Sequence, residues 1–251
     1  EIKHRVIGGG EPLICVPVVE QDAQSVIREI TYLSQSTADI IEWRVDAFRD
    51  FTDYNAIRSV FEAVAPLLGE KLFLYTFRTA HQGGMAQVKA EQLDELHDLA
   101  AESGCVDLVD LEFFEEDRPL HKIKRLREMG VAGIASHHDF EQTPSPEVMK
   151  MLLEKMCAGG ADIVKLAVMP QNYKDVLNLL DVTAQFREEN PDTPVITMSM
   201  GSLGGISRIS GETFGSCVTF GAHEKPSAPG QFAMKELRQM LDTIHASNQI
   251  Q

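Results

Sequence analysis

With 251 residues, 43% of them hydrophobic, and a formal net charge of −15 at a pI near 4.9, the chain has material for a sizeable core and excludes a disordered composition. The acidic balance argues against non-specific nucleic-acid binding, which needs a basic surface. No apolar run approaches a membrane span and the first residues lack a secretion-signal pattern, so the expectation is a soluble, cytoplasmic protein.

Residues 1–12, with "GGG" at 8–10, precede the first apolar run and are expected to cover one end of the fold. Then short apolar runs alternate with stretches of helical period. "LICVPVV" (13–19) is followed by a helical pattern near 22–35, "DIIEWRV" (39–45) by 53–68, "KLFLYTFR" (71–78) by 86–103, and "VDLVDLE" (106–112) by 118–129. "VAGIASHH" (131–138) is followed by 145–158, "ADIVKLAV" (161–168) by 172–188, "PVITMSM" (194–200) by 204–214, and "CVTFG" (217–221) by 231–247. Strand–helix alternation implies parallel strands joined by helical crossovers. Eight such units in a chain this long fit a (β/α)8 TIM barrel, read as one catalytic domain over 1–251. No GxGxxG or GxxxxGK[ST] follows a strand, which removes the usual nucleotide-binding alternatives. Cys15, Cys105, Cys157 and Cys217 show no paired spacing and read as small core residues in a reducing compartment.

Barrel active sites lie at the C-terminal ends of the strands and in the loops that follow. Those positions collect Glu42, Arg44 and Asp46; Arg78 and "TAHQGGM"; Asp110 and Glu112; His137, His138 and Asp139; Lys165; Met198, Ser199 and Met200, leading to Arg208; and "HEKPSAPGQ" with Ser227 and Gln231. Lys165 stands in an otherwise apolar strand. Alone it reads as a lysine whose head snorkels to the rim. Beside His138, Arg44, Arg78 and Arg208 it reads better as an amine made nucleophilic toward a carbonyl by neighbouring cations and partial burial. Adjacent strand residues point to opposite faces, so His137 and His138 are poorly placed to share a metal, and one rim imidazole suits general acid–base work. Three arginines on an acidic protein suggest a pocket for a small anion, a carboxylate being simplest, although pairing with Glu42, Asp46 and Asp110 competes. The Pro- and Gly-containing "SAPGQ" is either a turn into the last helix or a lid. Met198 and Met200 read as barrel packing that could also face a ligand.

These stretches together resemble the type I 3-dehydroquinate dehydratases. "EWRVD" (42–46), "FRTAHQGG" (77–84), "DLE" (110–112), "SHHDF" (136–140), "ADIVKLAVMP" (161–170), "TMSMG" (197–201), "ISRISGETFGS" (206–216), "TFGA" (219–222) and "SAPGQ" (227–231) carry the likeness, essentially end to end. The resemblance implies a Schiff-base lyase that forms 3-dehydroshikimate by syn elimination, with no metal and no organic cofactor. Lys165 would form the imine, and His138 would act as general acid and base. Arg208 would bind the substrate carboxylate under Ser227 and Gln231. Glu42, Arg44 and Arg78 would hold ring hydroxyls, Met198, Met200 and Phe220 would form an apolar wall, and Asp110 would support the histidine and lysine from behind. The family's small-molecule substrate and homodimer are expected with it.

One position departs from the family. Gln82 stands where a glutamate is usual, near the catalytic histidine. An amide still hydrogen-bonds but carries no charge, so His138 is expected to be less basic than beside a carboxylate. An engineered substitution, a natural variant of lower activity and a paralogue with a shifted substrate (3-dehydroshikimate in quinate catabolism) all fit the glutamine, as does a binding-only protein.

Overall fold

The computed structural model describes residues 1–249. In chain order the elements are β1 (Leu13–Val18), α1 (Ala23–Ser34), β2 (Ile40–Arg44), α2 (Tyr54–Val64), β3 (Leu72–Thr76), α3 (Ala90–Glu102), β4 (Leu108–Glu112) and α4 (Pro119–Glu128). They continue with β5 (Ala132–Asp139), α5 (Pro146–Ala158), β6 (Ile163–Val168), α6 (Tyr173–Glu189), β7 (Val195–Ser199), α7 (Gly205–Ile209), α8 (Gly211–Phe214), β8 (Val218–Phe220) and α9 (Met234–Asn248). All eight strands pair in parallel, in the order β7-β6-β5-β4-β3-β2-β1-β8. A parallel bridge between Val195 and Ser216 draws the two ends together into a nearly closed (β/α)8 barrel.

Every expected strand and crossover is present, and the differences at their ends have local causes. The pattern over 53–68 breaks into a 3-10 turn at Ala65–Leu67, because Pro66 cannot donate the next helical bond. Residues 86–89 do not join α3; Ala86 instead pairs with Thr79. The pattern over 204–214 splits into two short helices at Ser210, where a Cβ on Gly211 would lie 2.4 Å from the Ser216 carbonyl oxygen. Of the four cysteines, only Cys15 and Cys217 are buried; Cys105 and Cys157 are half-buried, so the core reading holds for two.

Two apolar layers follow from strand period. Residues such as Trp43, Tyr75, Val109, Leu166 and Val168 face the helices, while Ile40, Leu74, Leu108, Ile134, Ile163 and Ile196 fill the barrel. A strand covered on both faces needs this unbroken run of apolar residues. Along the inward rows of β2, β4, β5 and β6 the character changes towards the C-terminal end. Ile40 gives way to Glu42 and Arg44, Leu108 to Asp110 and Glu112, Ile134 to Ser136 and His138, and Ile163 to Lys165. The lower barrel is thus a hydrophobic plug, and the upper barrel a polar cup.

The expected cover is in place at the lower end. Ile2 and Ile7 pack on the inner cluster, the Lys3 ammonium bridges Asp107 at 2.8 Å, and Arg5 pairs with Asp39 at 2.8 Å. Among the described residues no helix is long and apolar enough to cross a membrane.

Candidate active site

Period two aims alternate side chains of the strands and their C-terminal extensions into one cup, where Glu42, Arg44, Arg78, His138, Lys165, Met198, Met200 and Phe220, with Gln82 from the 3-10 turn after β3, line a shared cavity. Ser227, Ala228 and Gln231 close it from the loop after β8. Two expected members do not line it. Asp110 lies directly beneath Lys165, and Arg208 sits behind the lid.

Lys165 is 3% exposed. Its Nζ donates to Asp110 Oδ2 at 3.2 Å and stands 4.4 Å from the centroid of the Phe220 ring. Asp110 also takes the Ser136 hydroxyl at 2.6 Å and the Arg78 guanidinium at 2.9 Å. Burial alone would push this carboxyl up, but Arg78, Lys165 and Ser136 outweigh it and bring it down to about 2. Asp110 bonds Lys165 directly, and no bond from Asp110 to His138 is found among the described residues.

Arg44 and Arg78 are held tightly by carboxylates. Asp46 takes Arg44 in a fork, Nε to Oδ1 and NH2 to Oδ2, both at 2.8 Å, and accepts from the backbone N–H of Arg78 and Met85. Arg78 bonds Glu112 at 3.0 Å, and Glu112 in turn binds Thr79 through its N–H and hydroxyl. Glu42 accepts from the Thr76 hydroxyl at 2.7 Å. The pairing weighed from the sequence is therefore real for both arginines, yet both keep a face on the cavity.

Arg208 differs. It is 2% exposed, has no carboxylate partner among the described residues, and spends one NH2 on the Pro229 carbonyl at 2.8 Å. Its Nε and NH1 have no partner among the described residues. Burial pulls this guanidinium down to about 10. An unpaired buried cation is costly, and a carboxylate is the group that fits its free edge. The lid is pinned beside it: Gly201 donates to the Pro229 carbonyl at 3.1 Å, Gln231 Nε2 donates to the Ser227 hydroxyl, and Ser227 N–H donates back to Gln231 Oε1. Gly230 holds φ +80°, with space for a Cβ denied by the Gly201 backbone at 2.4 Å.

His138 faces the cup, while His137 turns to the helix side and meets Phe114 edge-on at 5.5 Å, the opposition expected of neighbours on a strand. Gln82 Oε1 accepts the His138 backbone N–H at 3.0 Å and lies 3.0 Å from its Nδ1. The backbone N–H can only donate, so the amide oxygen must face it. Nδ1 must then carry the proton, which leaves the Nε2 lone pair free as a base. Burial, then the charges of Arg78, Lys165 and Arg44, hold this imidazole well below its ordinary value.

Thr76, Ser136 and Thr79 belong to this network and were not singled out in the sequence. The first two carried a usable signal, since each stands two residues before a singled-out side chain, Arg78 or His138, on the same inward row. Phe140 stacks near His138 at 6.3 Å between ring centroids, and an aromatic after a strand carries no sequence signal of that role.

The cup unites an amine on an anchored strand with a base of defined tautomer, and a buried cation without a carboxylate partner among the described residues lies behind its lid. These are the parts for imine chemistry on a carboxylated ketone.

Comparison with known proteins gives a consistent picture. Residues 14–248 match the family model described as Type I 3-dehydroquinase. The 3-dehydroquinate dehydratase of Syntrophotalea carbinolica is 41% identical over 246 residues, covering 98% of this chain and 97% of the relative. A structure of Type I 3-dehydroquinate dehydratase from Clostridium difficile, with covalently modified comenic acid, superposes with TM-score 0.94 at 39% identity over 98% of this chain and 97% of that one. The 3-dehydroquinate dehydratase structure from Geobacillus kaustophilus gives 0.95 at 35% identity, covering 98% and 96%.

Proposed function

The chain belongs to the type I 3-dehydroquinase family, and from that premise we propose that it dehydrates 3-dehydroquinate to 3-dehydroshikimate through an imine on Lys165. The observation that carries this reading is the buried Lys165 amine above Asp110, in one cavity with a His138 whose base nitrogen is free. The names of the relatives do not favour a shifted substrate or a binding-only protein.

Lys165 Nζ, once it has given up a proton, adds to the C3 ketone, and loss of water from the adduct gives the iminium. The iminium draws electrons from C2, so the C2 hydrogen becomes acidic. His138 Nε2 takes that proton. The resulting enamine expels the C1 hydroxyl, which His138 protonates as it leaves as water, and hydrolysis of the imine frees product and amine. Arg208 would seat the carboxylate, the lid would hold it there, and Glu42, Arg44 and Arg78 would take the ring hydroxyls. Met198, Met200 and Phe220 would exclude water from the reacting edge. The proposal extends, by the family resemblance, to a cytoplasmic homodimer with 1–251 acting as one domain.

Borohydride added with 3-dehydroquinate should leave one reduced ligand mass on Lys165, read by peptide mass spectrometry. An adduct on another lysine, or none, sinks the covalent route.

The pH dependence follows from the Gln82 contact. His138 must be neutral to accept a proton, and its value is held well below the ordinary one. Loss of kcat/KM from its protonation should therefore come only at pH below the usual histidine range. Gln82→Glu places an anion against Nδ1 and favours the imidazolium, so its acidic limb should move to higher pH by about 1–2 units. An unmoved limb would mean that this contact does not tune the base.

A further inference from the structure

Gln82 has more to offer than its oxygen. It is 2% exposed and sits on the 3-10 turn Ala80–Gln82 after β3. Its Oε1 is fixed by two groups of His138, so the planar amide fixes where Nε2 goes as well. That Nε2 is buried and has no hydrogen-bond partner among the described residues. Buried donors are rarely left so, because an unmade bond forfeits the hydration the group had in the unfolded chain.

The residue lines the cavity, and the cavity's own walls do not supply an acceptor in bonding reach. Arg44, Arg78 and Lys165 are donors only. Glu42 Oε1 accepts from the Thr76 hydroxyl and Gln231 Oε1 from the Ser227 N–H, and neither group lies within bonding distance of Gln82 Nε2. We propose that Gln82 Nε2 donates a hydrogen bond to an oxygen of the bound ligand beside His138. The site then accepts any oxygen with a free lone pair there, whether carbonyl, carboxylate or hydroxyl. A carboxylate side chain at this position could only accept, and would require a hydroxyl that donates to it. Gln82 thus sets which oxygen functions the cavity takes, in addition to holding the imidazole. The inference rests on the proposed reaction for the identity of the ligand.

The test uses the 15N-labelled protein with 3-dehydroshikimate, the Gln82 side-chain amide signals being identified by their loss in Gln82→Glu. One amide proton should move downfield and exchange more slowly with water when the compound is added. Gln82→Met, which keeps the volume and removes the donor, should raise the Kd for 3-dehydroshikimate about fivefold to tenfold. A residue that merely held His138 would lower kcat and leave that Kd unchanged. Amide signals unmoved by ligand, with turnover and the Lys165 adduct intact, overturn the inference and leave the reaction standing. Absence of both turnover and adduct overturns the reaction, and the inference with it.

Discussion

Lys165→Met should leave a folded barrel with kcat/KM for 3-dehydroquinate lowered on the order of 10⁵-fold or more, the scale seen when a covalent nucleophile is removed. Methionine is close to lysine in length and, being apolar, suits the place of the ammonium beside the Phe220 ring, so the strand should not collapse. Asp110 loses one of three partners but keeps Arg78 and Ser136, which limits the destabilisation. Binding should survive in part, because Arg208 and the lid are untouched. Calorimetry with 3-dehydroshikimate should show a measurable Kd beside the absent turnover. Activity within a hundredfold of the parent would mean that the amine is not the electron sink.

Asp46→Asn is the second large effect, and it works at a distance from the reacting atoms. One buried carboxylate holds the Arg44 fork, the Arg78 backbone and the Met85 backbone. It therefore ties β2 to the loop that carries Gln82. Asparagine matches the volume, but one of its two arms is a donor and must face another donor. It also leaves Arg44 buried with its counter-charge gone. Breaking such a pair costs about 3–5 kcal/mol, which for a chain of this size lowers Tm by roughly 10 °C. The surviving folded enzyme should show a raised KM and a lower kcat, since both Arg44 and the Gln82–His138 contact depend on that anchor. A melting curve and KM like the parent's would show that the anchor is dispensable.

Most of the fold was legible because two-sided burial writes itself as short apolar runs, and crossover helices as period-3.6 patterns between them. The cup was legible for the same reason, since a charged residue such as Lys165 or Glu42 stands out in an apolar run. Thr76 and Ser136 did not stand out, because a lone hydroxyl in a strand looks the same whether it packs or bonds. Partnership was harder still. Lys165 and Asp110 are 55 positions apart and meet only through the register of β4, β5 and β6, which local periodicity does not encode. The position of Arg208 behind the lid is likewise tertiary. It depends on the Pro229 carbonyl accepting from Gly201 just after β7, a contact between two segments that local periodicity does not join.

The solitude of Arg208 has a consequence for encounter with the proposed substrate. The three cations that line the cup, Arg44, Arg78 and Lys165, are matched by carboxylates, and Arg208 lies buried behind the lid. A carboxylated ring diffusing in from solution therefore meets the field of a protein with net charge −15. Attraction begins only within reach of the guanidinium, while repulsion acts from about 10 Å and beyond at ordinary ionic strength. Added salt weakens the long-range repulsion more than the sheltered contact, so moderate ionic strength should raise kcat/KM, the reverse of an enzyme that steers its substrate electrostatically.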